Sequence, residues 1–241
     1  KLAVISDIHG NCLALEAVLE DIARQGVDGI VNLGDVLSGP LDPAGVADLL
    51  IGEKIPTVVG NHDRYLRDGT PEVKKPVDAF VAARMAPEHF DWLRTFPTTH
   101  VVAEEILLSH GTPASDTTPW LDGWWDGRSV RTPTEDEVAK HAEGHDFAVI
   151  LSGHTHQSRA VRLADGRLLL NPGAVGLQVH LGLPDAHYAT LEKARDGYRV
   201  NFHMVPYDWE GAARQAEANG FPQLTRIREK RFYPSALLSK I

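Results

Sequence analysis

Apolar residues along the chain fall into short runs that break abruptly into clusters of Gly, Asp, Asn or His. Leu2 to Ile5 runs into Ser6-Asp7-Ile8-His9-Gly10, Gly29 to Leu33 into Gly34-Asp35, and Ile55 to Val59 into Gly60-Asn61-His62-Asp63. Further along, Ile106 to Leu108 runs into Ser109-His110-Gly111, and Phe147 to Leu151 into Ser152-Gly153-His154-Thr155-His156. Continuous apolar runs of this length suit strands buried on both faces of a sheet. Five such strands would deliver polar groups at their carboxyl ends, where open α/β sheets place their sites.

Helical periodicity lies between the runs. Leu15, Val18, Leu19 and Ile22 recur at i, i+3, i+4 and i+7, which predicts a helix from about Cys12 to Gln25, ending near Gly26. Asp42-Pro43 opens a second helix through Leu50, with Asp as N-cap and Pro at the first helical position. Thr134-Glu135-Asp136-Glu137 has capping-box spacing and starts a helix towards Gly144. Asp165-Gly166 and Asp196-Gly197 join alternating runs, Ala160 to Leu163 with Arg167 to Leu170 and His187 to Leu191 with Tyr198 to Val205, so the second half carries antiparallel hairpins. No linker or repeat divides residues 1–241, and a single domain is expected.

Two segments fall outside this scheme. A candidate lid or substrate-binding insertion covers about residues 112–146; its first part holds Trp120, Trp124 and Trp125, followed by Arg128 and Arg131. An aromatic cluster covering part of the core is the alternative. A C-terminal extension from about residue 208 ends in a basic patch, Arg226 to Arg231, that suits a solvated surface or a subunit contact, so a homo-oligomer stays open.

Composition narrows the class. With 43% hydrophobic and 24% charged residues, the 241-residue chain is neither collagen-like, disordered nor membrane-embedded. No apolar run approaches the roughly 18 residues of a membrane span, and the chain opens on a strand rather than a signal peptide. The net charge of −9 disfavours a broad nucleic-acid surface. One cysteine, Cys12, fits a reducing, cytoplasmic setting and is read as a buried spectator thiol. Against it stand 12 histidines, an excess that needs a cause.

Collected in order, the polar clusters supply Asp7, His9, Asp35, Asn61, His62, His110, His154 and His156. Carboxylates, imidazoles and one amide oxygen, without thiolate, are a ligand set for divalent Mn, Fe or Zn. On an extended backbone, residues two apart point to the same side, so Asp7 with His9 and His154 with His156 would converge. The neighbouring glycines would let backbone and metal centre approach closely. Each piece alone is weak, since a lone His at a strand end is usually structural. Their joint occurrence at the ends of separate apolar runs is what points to a metal site.

These motifs, Asp7-Ile8-His9, Gly34-Asp35, Gly60-Asn61-His62-Asp63, His110 and Gly153-His154-Thr155-His156, resemble the five-part signature of the calcineurin-like metallophosphoesterases, with a family-like Asn171-Pro172-Gly173-Ala174-Val175 beyond. The resemblance implies an α/β (α+β) fold, a four-layer αββα sandwich with two divalent metal ions above the strand ends. By motif position it implies that Asp7, His9 and His156 bind one metal, that Asn61, His110 and His154 bind the other, and that Asp35 bridges them. It gives His62, which would not bind metal, the role of general acid or transition-state stabiliser facing the substrate. Asp63 is the candidate to orient His62, although adjacent side chains on a strand point apart. The implied reaction is attack of a metal-bridging hydroxide on a phosphodiester or small phosphomonoester.

Departures from the pattern narrow the substrate. Protein phosphatases extend the second motif as Gly-Asp-x-x-Asp-Arg-Gly, whereas here it reads Gly34-Asp35-Val36-Leu37-Ser38-Gly39-Pro40. Protein phosphatase activity is therefore the weaker alternative, and the chain looks more like the small prokaryotic branch rich in phosphodiesterases. Arg64, Arg67, Arg128 and Arg131 are candidates to reach a phosphate. A non-catalytic protein-binding scaffold with the same fold is a further alternative, opposed by the intact ligand positions and His62. A metallo-β-lactamase-like hydrolase would place its paired histidines first rather than last.

Overall fold

The first apolar run becomes β1 (Leu2–Ile5) in the computed structural model, which describes residues 1–69, 76–122, 124–125, 130–179 and 183–221. Asn11 caps the following helix, α1 (Cys12–Ala23), by accepting the Ala14 N–H at 3.1 Å. β2 (Gly29–Asn32) lies parallel to β1. Asp42 then caps α2 (Pro43–Glu53), accepting the Gly45 N–H at 2.9 Å. The run from Ile55 to Val59, expected as a further strand, makes one isolated parallel bridge, Thr57 to Asn32. Pro56 has no N–H to donate to a ladder, and only its carbonyl is used, by Asn32 N–H at 2.9 Å.

Three short helices follow, α3 (Asn61–Asp68), α4 (Pro76–Ala82) and α5 (Pro87–Leu93), and then the hairpin of β3 (Thr99–Val102) and β4 (Ile106–Ser109). Within the candidate insertion, β5 (Trp124–Trp125) pairs with β6 (Val130–Arg131). The capping box at Thr134 starts α6 (Glu135–His141), with the Glu137 carboxylate accepting the Thr134 N–H at 2.8 Å. After β7 (Val149–Leu151) come the two hairpins, β8 (Ser158–Arg162) with β9 (Leu168–Pro172) and β10 (Ala186–Ala194) with β11 (Gly197–Val205), and finally α7 (Trp209–Ala218). Gly166 and Gly197 turn both hairpins at φ 93 and 121.

Two mixed sheets result, ordered β11-β10-β1-β2 and β3-β4-β7-β9-β8. Alternation along each strand separates the layers. Val4, Val31, Ala189 and Leu191 of the first sheet meet Ile106, Leu108, Leu151 and Leu170 of the second. On the outer face of the first sheet, Ala3 and Ile5 pack against Leu15, Val18 and Ile22 of α1 and Leu50 of α2. Beyond the second, Leu107, Ile150 and Leu169 pack against Val138 of α6 and against Trp120. Burying each such aliphatic side chain is worth about 1.5–3 kcal/mol, and these contacts hold the four layers of an αββα sandwich together.

Trp120 is therefore core rather than lid: it is 1% exposed, and its indole N–H donates to the Val138 carbonyl at 2.9 Å. The side chains of Trp124 and Trp125, Arg128 and the Arg226 to Arg231 patch lie outside the described residues. Among the described residues no helix is long and apolar enough to cross a membrane.

Candidate metal centre

The polar clusters gather at the carboxyl ends of β1, β2, β4 and β7, but not by strand alternation. Asp7 and His9 lie beyond β1, and His154 and His156 beyond β7. All four, with Asp35, take left-handed backbone conformations, φ 55 at Asp7, 49 at His9, 55 at Asp35, 67 at His154 and 60 at His156. The convergence expected from an extended Asp-x-His is thus achieved by tight turns. Such a conformation costs a non-glycine residue on the order of 1–3 kcal/mol, and it persists only where surrounding bonds dictate it. Here the Asp7 N–H donates to the Gly34 carbonyl and the His9 N–H to the Asp35 carbonyl, both at 3.0 Å. Close approach also demands glycine: a Cβ on Gly60 would stand 2.1 Å from Asp35 Oδ1, and one on Gly153 the same distance from Ser6 Oγ.

Two triads of ligand-type atoms result. Asp7, His9 and His156 form one, Asp35, His110 and His154 the other, and within each the donor atoms lie within 4.8 Å of one another. Asp35 joins them: its Oδ2 is 3.3 Å from His110 Nε2 and 3.8 Å from His9 Nε2. Its other oxygen, Oδ1, accepts the His62 N–H at 2.9 Å. Asp7 is divided similarly. Oδ2 accepts the Ser6 hydroxyl at 2.6 Å and the His154 N–H at 3.2 Å, and Oδ1 faces His156 Nε2 at 3.3 Å.

The donor set fits divalent cations. Asn61 Oδ1 is buried without a hydrogen-bond partner, and Asp7 Oδ1 and His110 Nε2 are buried with only the 3.3 Å ion-pair contacts to His156 and Asp35, an arrangement that is costly for polar atoms unless something else satisfies them. The rings are also oriented by their far sides. A carbonyl can only accept, so the contacts of Nδ1 with Ser38 O in His9 (2.7 Å), Leu33 O in His110 (2.7 Å) and Leu177 O in His156 (2.5 Å) place a proton on Nδ1 and aim Nε2 inward. In His154 the roles reverse, with Nε2 on the Thr117 carbonyl at 3.2 Å. Burial lowers His9 and His154 to about pKa 4, leaving lone pairs free for ligation at neutral pH. Burial opposes protonation of His110 too, but there Asp35 prevails and raises it to about 10.

His62 is half-buried in the first turn of α3, its ring centroid 5.5 Å from that of His9 and 5.6 Å from that of Tyr65. Asp63 turns inward. Its carboxylate accepts the N–H groups of Asp35 (2.7 Å), Val36 (3.0 Å) and Gly60 (3.1 Å), so its influence on His62 runs through the Asp35 loop. Burial, and then Asp35, push Asp63 up to about 7 against the pull of those donors. Of the arginines, Arg64 makes a bidentate pair with Asp116, Arg67 pairs with Asp68 and Arg131 with Glu137. The carbonyls of Leu33, Ser38, Thr117 and Leu177 escaped the sequence reading, because a backbone acceptor leaves no mark in residue type.

The calcineurin-like phosphoesterase superfamily domain matches residues 1–196. The chain belongs to this superfamily. A metallophosphoesterase from Sphaerobacter thermophilus has a similar structure, with a TM-score of 0.76 and 26% identity, covering 95% of this chain and 99% of that one. The phosphodiesterase YfcE of Escherichia coli K12 is 44% identical over 73 residues, 26% of this chain and 40% of that enzyme. The symmetrical bis(5'-nucleosyl)-tetraphosphatase of Bordetella pertussis is 30% identical over 116 residues, 44% of this chain and 42% of that enzyme. The chain is thus a phosphoesterase-family hydrolase with two candidate metal clusters.

Proposed function

We propose that this phosphoesterase is dinuclear, with Asp7, His9 and His156 holding one divalent cation, Asn61, His110 and His154 the second, Asp35 shared, and a small phosphate ester as substrate. The observation that carries the reading is the pair of triads joined through Asp35 Oδ2. Two divalent cations there would supply an activated water and offset the phosphoryl charge. Against the two carboxylates of Asp7 and Asp35 they leave a local excess of positive charge, so a chain of net charge −9 still attracts an anionic ester.

His62 gives a proton to the departing oxygen of a phosphodiester or small phosphomonoester. Its backbone N–H on Asp35 Oδ1 ties this acid to the bridging carboxylate. Asp63 holds the loop that carries Asp35. The relatives named phosphodiesterase and tetraphosphatase support a small-molecule substrate. Parallel rates on mono- and bis-p-nitrophenyl phosphate with Mn, Fe, Co, Ni and Zn test the proposal and rank diester against monoester. Folded, metal-supplemented protein inert on both esters would refute it.

A further inference from the structure

Thr155 separates the histidines of the two triads, His154 on one side and His156 on the other. Both neighbours are left-handed, so the backbone at this point is strained twice within three residues. The turn tightens further as the Thr155 N–H donates to the Gly153 carbonyl at 2.7 Å.

The Thr155 hydroxyl is tied from two directions. It donates to Asp122 Oδ2 at 3.0 Å and accepts from Asn171 Nδ2, also at 3.0 Å. The direction of each bond is forced, since a carboxylate accepts and an amide nitrogen donates. Asn171 Nδ2 also donates to the Gly153 carbonyl at 2.6 Å, and its Oδ1 accepts the Gly173 N–H at 2.9 Å, which fixes which way its amide points. Asp122 is 7% exposed, and its Oδ1 lies 3.6 Å from Arg159 Nη1. It comes from the candidate insertion, whereas Asn171 is the next-to-last residue of β9. Two distant parts of the chain therefore grip one hydroxyl between the two clusters.

We propose that Asp122 and Asn171, acting through Thr155, are positioning residues that hold His154 and His156 in their left-handed conformations and so set both metal clusters together. The inference rests on the dinuclear reading above. It gives the insertion a role in building the site. A threonine is suited to the task because it offers one donor and one acceptor at a fixed rotamer-limited position.

The test compares wild type with Thr155→Val, which keeps the shape and removes the hydroxyl, and with Thr155→Ser, which restores it. Mn2+ alone is titrated against a chelator, with metal content measured on the dialysed protein and folding followed by circular dichroism. Wild type is expected to take up two Mn2+ per chain. Thr155→Val should bind both more weakly by about 10-fold, because the strained turn that aims His154 and His156 loses the bonds that hold it. Thr155→Ser should recover most of the loss, and Asp122→Asn, which retains an acceptor oxygen, should sit between. If Thr155→Val fails to fold, Asp122→Leu makes the same comparison. Lower thermal stability with unchanged Mn2+ affinity would reduce Thr155 to a packing residue and overturn the inference. Wild type that takes up no Mn2+ would instead overturn the dinuclear reading.

Discussion

Asp35 divides its carboxylate between the proposed acid and the proposed metals: Oδ1 accepts the backbone N–H of His62 at 2.9 Å, and Oδ2 faces His110 and His9. Asp35→Asn can keep the first contact, because the amide oxygen still accepts. Its NH2 group would then face the two imidazoles, where a donor cannot bind a cation. Hydrolysis of p-nitrophenyl phosphate esters should fall on the order of 10²-fold or more. The rise in melting temperature on adding Mn2+ should shrink with it, because a ligand stabilises only what it binds. A variant with both quantities intact would remove Asp35 from the centre of the site.

His62→Ala separates proton donation from metal binding. General acid catalysis is worth about 10²- to 10⁴-fold where the leaving oxygen needs a proton. p-Nitrophenolate leaves readily without one, so the loss on aryl esters should be the smaller and on alkyl esters the larger. Mn2+ uptake should persist. Equal losses on aryl and alkyl leaving groups would argue that His62 acts otherwise.

Asp63 supports three backbone donors at once, and Asp63→Ala strands all three in a buried place. An unsatisfied buried donor costs about 1–3 kcal/mol, and partial relaxation brings the expected total to roughly 3 kcal/mol. Asp63→Asn retains one accepting oxygen and should lose about half as much. Urea unfolding of the two variants measures both figures, and an Asp63→Ala as stable as wild type contradicts the clamp.

Much of this arrangement is legible in residue order, because apolar runs ending in Gly, Asp, Asn and His encode both the strands and what they deliver. The hairpins at Gly166 and Gly197 and the caps at Asp42 and Thr134 follow from local chemistry that needs no tertiary context. The run at Ile55 to Val59 misleads because one proline removes the donor that would have made it a strand. The left-handed turns at Asp7 and His154 are hidden for a different reason. Long-range bonds, such as His154 N–H to Asp7 Oδ2 across most of the chain, impose them against local preference. The contacts of Asp63 are hidden in the same way: Asn61–Asp68 is helical rather than extended, and the N–H groups that its carboxylate accepts come from Gly60 and from the distant Asp35 and Val36.

Cys12 is half-buried rather than buried, at the start of α1. Burial, then the carboxylates of Glu16, Asp42 and Asp48, push its thiol up to about 11. At pH 8 roughly one molecule in a thousand then carries a thiolate, against about a quarter for an ordinary cysteine near 8.5. Alkylation by iodoacetamide should therefore run on the order of 10²-fold slower than with a free thiol and accelerate about tenfold per pH unit up to that value. A fast reaction at pH 7 would show that neither burial nor the acidic surroundings hold the sulfur protonated.

Tyr188, buried beneath α1, donates its hydroxyl to Asp21 Oδ2 at 2.6 Å and stacks on His203 with ring centroids 4.4 Å apart. Burial, and then the Asp21 carboxylate, push the phenol upward, and the same hydrogen bond lowers Asp21. The signs define two arms. Asp21, depressed in the folded protein, contributes stability above the ordinary carboxylate pKa near 4 that is lost as pH falls through the folded value. Tyr188, raised, contributes stability below the ordinary phenol pKa near 10 that is lost as pH rises through the folded value. Tyr188→Phe keeps the ring and its stacking but removes the shared bond, so it should cost about 1–2 kcal/mol at pH 7. The difference from wild type should narrow at both extremes, below about pH 4 and above about pH 10, in guanidinium unfolding measured across the range. A difference independent of pH would assign the loss to packing rather than to the Tyr188–Asp21 bond.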